Sequence, residues 1–196
     1  IMDNKIWCLS DEIYAELSYG QDHFSIASVE GMKDYTIYLN GFSKAFAMTG
    51  WRIGYLCAPK EIVDQIVKIH QFIIMCAPIM SQYAALEGLR NSDKEIVKMR
   101  ESYDRRRRLI YHEFKEMGLD VYEPKGAFYI FPNISKTGMT SDDFAIKLLQ
   151  EKKVAVVPGS AFGSNLENYI RCSYATSIED IKEACRRIKE FINEIK

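Results

Sequence analysis

A chain of 196 residues, 47% hydrophobic and 27% charged, holds enough apolar material for one substantial core or two small ones. Its 26 basic and 27 acidic residues leave a formal charge of -1, which argues against a global basic field for nucleic acid and against an acidic disordered tail. The longest apolar run, Phe72 to Met80, contains Pro78 and is too short to span a bilayer, and no basic-then-apolar leader opens the chain.

The chain enters a strand-like run, Ile6–Leu9, almost at once after Ile1, so it reads as starting in the middle of a fold. Tyr35–Leu39 and Arg52–Ala58 are two further β-rich runs short enough for buried strands. Pro59 stands where a helix can begin, and Ile62, Val63, Ile66, Val67 and His70 follow at helical spacing. A second helix is expected over Ile79–Leu89. Ser92-Asp-Lys-Glu95 has the capping-box pattern, which predicts a long charged helix from Asp93 to Met117, stopped by Gly118. Its sparse apolar positions suit a helix that bridges two domains. Beyond it the pattern predicts strands at Phe128–Phe131, Val154–Val157 and Tyr169–Tyr174, and a helix over Asp142–Lys152. A last helix should start after Thr176 or Ser177, with Ile178, Ile181, Cys185, Ile188, Ile192 and Ile195 on one face.

Five cysteines (Cys8, Cys57, Cys76, Cys172, Cys185) are scattered without a CxxC pair, and His23, His70 and His112 lack metal-ligand spacing. The expectation is free thiols in a reducing, cytoplasmic setting and no metal site. Arg105–Arg108 reads as a solvated or interdomain helix face, not a nucleic-acid patch, and Glu12 as solvent-facing.

The densest chemical signal is Asn40–Tyr55, NGFSKAFAMTGWRIGY. Lys44 and Arg52 are its only charged residues. Phe42, Ala45, Phe46, Ala47 and Met48 around Lys44 should exclude water and favour a neutral, nucleophilic amine. Gly41, Gly50 and Gly54 would let a ligand approach the backbone closely, and the Arg52 fork suits a phosphate. Upstream, Ser10-Asp-Glu-Ile-Tyr14 sets an Asp at the end of a strand with a Tyr three residues on.

The block SKAFAMTGWRIGY (residues 43–55) resembles the Schiff-base signature of the fold-type I, pyridoxal-phosphate-dependent class I/II aminotransferases, in particular the aspartate and aromatic branch. The segments Pro124–Phe131, Pro158–Gly163 and Tyr169–Ala175 are similar to the same family's small domain and carboxylate-binding region. The resemblance implies an α/β fold: the C-terminal part of a cofactor-binding large domain over residues 1–92, then an interdomain helix and a small α+β C-terminal domain over 93–196. It implies that Lys44 holds pyridoxal 5'-phosphate, that Ser43 and Arg52 contact its phosphate, and that Asp11 pairs with the pyridinium nitrogen. Tyr14 would bond the ring oxygen, and Arg171 would take the substrate α-carboxylate. Many members carry Ser or Thr at the position of Gly41, so one phosphate contact is absent here or comes from another group.

The implied activity is transamination between an amino acid and a 2-oxo acid by a homodimer. The donor side chain stays open between aspartate, aromatic and branched types. The resemblance covers about the C-terminal half of a family member. The chain alone is therefore expected to bind the cofactor weakly and turn over little. A lyase or synthase on the same fold and a non-catalytic effector-binding regulatory domain are the alternatives.

Overall fold

The structure, a computed structural model, describes residues 1–195. It contains two compact units, one from Ile1 to Arg100 and one from Glu101 onward.

The first unit is built on a three-stranded sheet. β1 (Cys8–Asp11) runs parallel to β2 (Thr36–Gly41), with Asp11 opposite Leu39. β3 (Gly54–Cys57) returns antiparallel to β2, with Gly54 opposite Gly41. The strand expected at Ile6–Leu9 thus begins at Cys8 and carries through Asp11. The first six residues close a turn instead, with Lys5 at φ 50° and the Ile6 N–H on the Ile1 carbonyl, so pairing starts only where β2 offers a partner. The strand expected from Arg52 is trimmed to Gly54, because Arg52 adopts a left-handed conformation after a 3-10 turn over Thr49–Trp51.

Directly after β2 comes α1 (Phe42–Ala45), and after β3 come α2 (Lys60–Ile73) and α3 (Ile79–Asn91). Pro59 precedes α2 as expected, but no residue of α2 is buried, and Val67 and His70 are exposed. An amphipathic pattern fixes which face is apolar; it does not supply a surface to cover that face. In α3 the buried residues Ser81, Ala85 and Gly88 fall on one stripe. Gly88 has to be small: a Cβ there would sit 3.0 Å from the Phe46 ring.

α4 (Asp93–Glu116) crosses from one unit into the next and stops before Gly118, whose φ of 77° suits glycine. Its last turns bring Ile110 and Phe114 into the core of the second unit. Arg107 lies at helical spacing from both and is buried with them. It is paired with Asp104 at 2.7 Å and Glu123 at 2.6 Å, while Arg108 is exposed and also pairs with Asp104. The four arginines are therefore not a uniformly solvated face: position on the helix sorts them.

In the second unit β4 (Asp120–Val121) pairs antiparallel with β6 (Pro132–Asn133), a short ribbon the sequence pattern did not suggest. β8 (Ile170–Ser173) lies between β5 (Tyr129–Ile130) and β7 (Val157–Pro158), antiparallel to both. α5 (Ser141–Lys147) is capped by Thr140, whose side chain accepts from the Asp143 N–H, and continues as a π-helical turn over Leu148–Lys152. α6 (Ile178–Glu194) is capped by Ser177 in the same way. Its buried face is Ile181, Cys185, Ile188, Phe191 and Ile192, with Ile178 and Ile195 half-buried at the ends. Phe114, Phe144, Leu148, Ile170, Tyr174 and Phe191 are fully buried, each contributing about 1.5–3 kcal/mol of burial. The Tyr174 hydroxyl is satisfied by the Ala127 carbonyl at 3.1 Å.

Among the described residues no helix is long and apolar enough to cross a membrane, and no group of three or more His, Cys, Asp or Glu could hold a metal. All five cysteines are unbridged.

Candidate active site

The carboxyl ends of the parallel pair β1 and β2 lie side by side, the position where open α/β sheets gather ligand-binding groups. Asp11 closes β1 and is exposed, with one carboxylate oxygen accepting from the Ile13 N–H at 3.1 Å. Tyr14 follows in the next turn. Ser43 and Lys44 stand in α1, just past the end of β2, and both are half-buried. The Lys44 Nζ lies 5.8 Å from the centroid of the Tyr14 ring, within cation–π range. Two residues far apart in sequence are thereby brought together, beside the strand end that carries Asp11.

The loop after Lys44 is pinned from below. Phe42 and Met48 pack with Ala85 of α3, and the Ser81 hydroxyl donates to the Trp51 carbonyl at 2.8 Å. Ala47 and Arg52 both take left-handed conformations (φ 53° and 50°), each costing about 1 kcal/mol or more for a non-glycine residue. Arg52 is exposed and donates from Nη1 to the Thr49 carbonyl at 2.8 Å.

Three sequence expectations need correction. The apolar residues flanking Lys44 do not shut water away from it. Phe42, Ala45 and Met48 turn into the core, Ala47 is exposed, and the lysine stays half-accessible; in a short helix, neighbours in sequence point in different directions. The glycines also serve a different purpose. Gly41 and Gly54 face each other across β2 and β3, where a Cβ on Gly54 would meet the Asn40 carbonyl at 3.1 Å and one on Gly41 would meet Ile13 at 3.0 Å. They let β2 and β3, and the Ile13 side chain, approach closely. Gly50 lies in open space.

The third correction is Glu12, which is buried and not solvent-facing. Its carboxylate accepts from Ser10 Oγ at 3.0 Å, Ser25 Oγ at 2.6 Å and His23 Nε2 at 2.5 Å. Burial alone would push its pKa up. The bonds from Ser25, His23 and Ser10 outweigh that and hold it below the ordinary glutamate value of 4.5. A polar stretch from Ser18 to Ser28 gives no periodic sign that it folds back onto residue 12.

In the second unit Arg171 projects from the middle of β8. Its guanidinium carbon lies 4.4 Å from the centroid of the Tyr129 ring and 4.6 Å from that of Phe162. Tyr129 pairs with Ser173, which makes it a diagonal neighbour of Arg171 across the sheet. Among the described residues no hydrogen bond or ion pair reaches the Arg171 guanidinium. A half-buried fork of donors against aromatic faces, with no internal acceptor, is suited to a planar carboxylate. A separate cleft of about 670 Å³ between the sheet and α2 has Asp11 at its edge but mostly apolar walls, including Leu56, Val63 and Ile66; Lys44 and Tyr14 do not line it.

A family model described as aminotransferase class I and II matches residues 1–188. The aspartate aminotransferase of Pyrococcus abyssi is 48% identical, over all of this chain and 51% of its own length. The aromatic-amino-acid aminotransferase 2 of Thermococcus litoralis is 46% identical over all of this chain and likewise 51% of its own length. The crystal structure of an aromatic aminotransferase from Pyrococcus horikoshii superposes with a TM-score of 0.94 at 46% identity, covering 98% of this chain and 52% of that one. The chain spans about half the length of the curated relatives it matches.

Proposed function

The chain belongs to the class I and II aminotransferase family, and from that premise we propose that it carries the lysine, ring-binding and carboxylate-binding groups of a pyridoxal-phosphate-dependent aminotransferase. In this assignment residues 1–92 are the later part of the large domain and 93–196 the interdomain helix and small domain. The remaining cofactor contacts come from residues beyond this chain.

The donor set fits the cofactor. Lys44 supplies the amine that would hold it, with Tyr14 beside it to bond the ring oxygen. Asp11 offers an exposed carboxylate at a strand end for the ring nitrogen. Ser43 and the exposed, backbone-braced Arg52 would bind its phosphate. When bound, pyridoxal phosphate supplies an electron sink for charge developing at the substrate Cα.

The chain's own residues do the rest. A carboxylate at Asp11 keeps the ring nitrogen protonated. The Lys44 amine, partly accessible, would take the proton from the substrate Cα as general base and hold it for return as the conjugate acid. Arg171 fixes the α-carboxylate by a bidentate pair, so that the Cα–H bond is held in one orientation. The substrates are an amino acid and a 2-oxo acid, and the working unit is a homodimer. The observation that carries this assignment is the meeting of Lys44 with Tyr14 next to the Asp11 strand end.

The test is an assay of the full-length protein with an amino-acid donor, with and without an acceptor 2-oxo acid. Sustained oxo-acid formation that requires the acceptor, and vanishes in Lys44→Ala, is the expected result. Sustained formation without an acceptor would instead indicate a lyase, and absence of turnover with every donor would favour an effector-binding role.

A further inference from the structure

Glu12 is the only buried carboxylate among the described residues. Its side chain is held from two directions: by Ser10 within β1, and by His23 and Ser25 from the segment that follows the Tyr14 turn. Its backbone is held as well. The Glu12 N–H donates to the Leu39 carbonyl at 2.8 Å, extending the β1–β2 pairing by one residue, and its carbonyl accepts from the Ala15 N–H at 2.9 Å. Ser25 is further fixed by its own turn, where its hydroxyl accepts from the Ala27 N–H and its carbonyl from Ser28 Oγ.

The chemistry of this cluster suits an anion. Two hydroxyls donate to one carboxylate oxygen and His23 Nε2 meets the other, and an ionised carboxylate has room to accept from all three when that nitrogen carries a proton. An amide of the same shape takes the charge out of all three bonds and can face His23 with its NH2 only if the imidazole turns a lone pair towards it. Glu12 also stands between Asp11 and the turn that carries Tyr14, and the Leu17 N–H closes that turn on the Tyr14 carbonyl at 2.9 Å above a fully buried Leu17 side chain.

We propose that Glu12 is a positioning residue: clamped by Ser10, His23 and Ser25, it fixes the Asp11–Tyr14 turn in register with Lys44. This rests on the assignment of Asp11, Tyr14 and Lys44 as cofactor-holding groups. The clamp acts on the turn and needs no contact with cofactor or substrate. Its loss lets Asp11 and Tyr14 move relative to the lysine, so cofactor affinity falls before the fold does.

The experiment measures pyridoxal-phosphate affinity of the full-length apoprotein by fluorescence titration, alongside its denaturation midpoint, for Glu12→Gln and for Thr36→Val. Thr36 is a buried control in β2, whose hydroxyl donates to the Met32 carbonyl away from the turn. Glu12→Gln is expected to weaken the cofactor about tenfold, a loss of about 1.4 kcal/mol, with Thr36→Val unchanged at a comparable loss of stability. Unchanged affinity in Glu12→Gln, or an equal fall in both variants, overturns the proposal. If Glu12→Gln does not fold, Ser25→Ala carries the test. It removes one donor and keeps the carboxylate, and a loss of about threefold is expected; no loss overturns the proposal. Lys44→Ala run in parallel separates the two ideas, since retained covalent cofactor there sinks the assignment of the lysine whatever Glu12 does.

Discussion

Glu12 in the first unit and Arg171 in the second are both charged groups drawn off the surface, and they differ in where their partners come from. Glu12 accepts from three side chains of its own unit, and its charge is answered from within. Arg171 has aromatic rings at 4.4 and 4.6 Å and no acceptor among the described residues. A buried charge that is internally satisfied serves the fold around it; one with open donors is suited to a ligand. The packing around each differs too. The second unit encloses a continuous core from Ile110 to Ile192, whereas the first has a small cluster of Phe42, Met48 and Ala85 and buries no residue of α2.

The contrast in packing gives the largest expected effect. Phe114→Ala, at a fully buried position, should cost about 3–5 kcal/mol in urea denaturation of the second unit. Loss below about 1 kcal/mol would mean that its core is not the unit's main support. Arg171→Gln comes next. On the proposed function, removing charge-assisted bonds worth about 1.5–3 kcal/mol should weaken amino-acid and oxo-acid binding to the full-length protein roughly 10–100-fold, irrespective of side chain. A loss confined to one substrate class would argue that Arg171 reads the side chain instead of the α-carboxylate.

The internally answered charges should show in the acid limb. Burial raises the pKa of Glu12 and of Asp104, but hydrogen bonds win in both, from Ser25, His23 and Ser10 in one case and from Arg108 and Arg107 in the other. Each folded pKa lies below its ordinary value, 4.5 and 3.8 respectively, so the stabilisation is complete above those values and is lost as pH falls through the depressed ones. Stability measured by denaturant between pH 7 and pH 2 should therefore drop mainly at the acid end. Asp104→Asn should flatten that drop in the second unit, and an unchanged slope would contradict the account. The smallest effect belongs to α2: Phe72 is 94% exposed, and Phe72→Ser should change stability by less than about 0.5 kcal/mol.

Much of this was readable in the residues, for physical reasons that differ by position. Ile181, Cys185, Ile188 and Ile192 repeat at helical spacing and do face the core, because α6 has a sheet and helices to pack on. Ile62, Val63, Ile66 and Val67 repeat equally well in α2 yet none is fully buried: the first three are half-buried and Val67 is exposed, since periodicity says nothing of how closely a partner packs opposite. Lys44 and Asp11 stand out in dense local motifs, and the structure puts Tyr14 against the lysine. The Glu12 clamp was not legible: it joins residues 10, 12, 23 and 25 through an irregular segment with no period to betray it. The rings beside Arg171 became visible only with the register of β5 against β8 and the turn holding Phe162.

Lys44 is the centre of the proposed function, and the covalent bond proposed for it can be tested directly. The full-length protein would be loaded with pyridoxal 5'-phosphate, reduced with borohydride, digested and mapped by mass spectrometry. The pyridoxyl mass is expected on the peptide that contains Lys44 and, after Lys44→Ala, on none. A label on Lys33 or Lys60 instead, or undiminished labelling in Lys44→Ala, would contradict the assignment of this lysine and with it the proposed function.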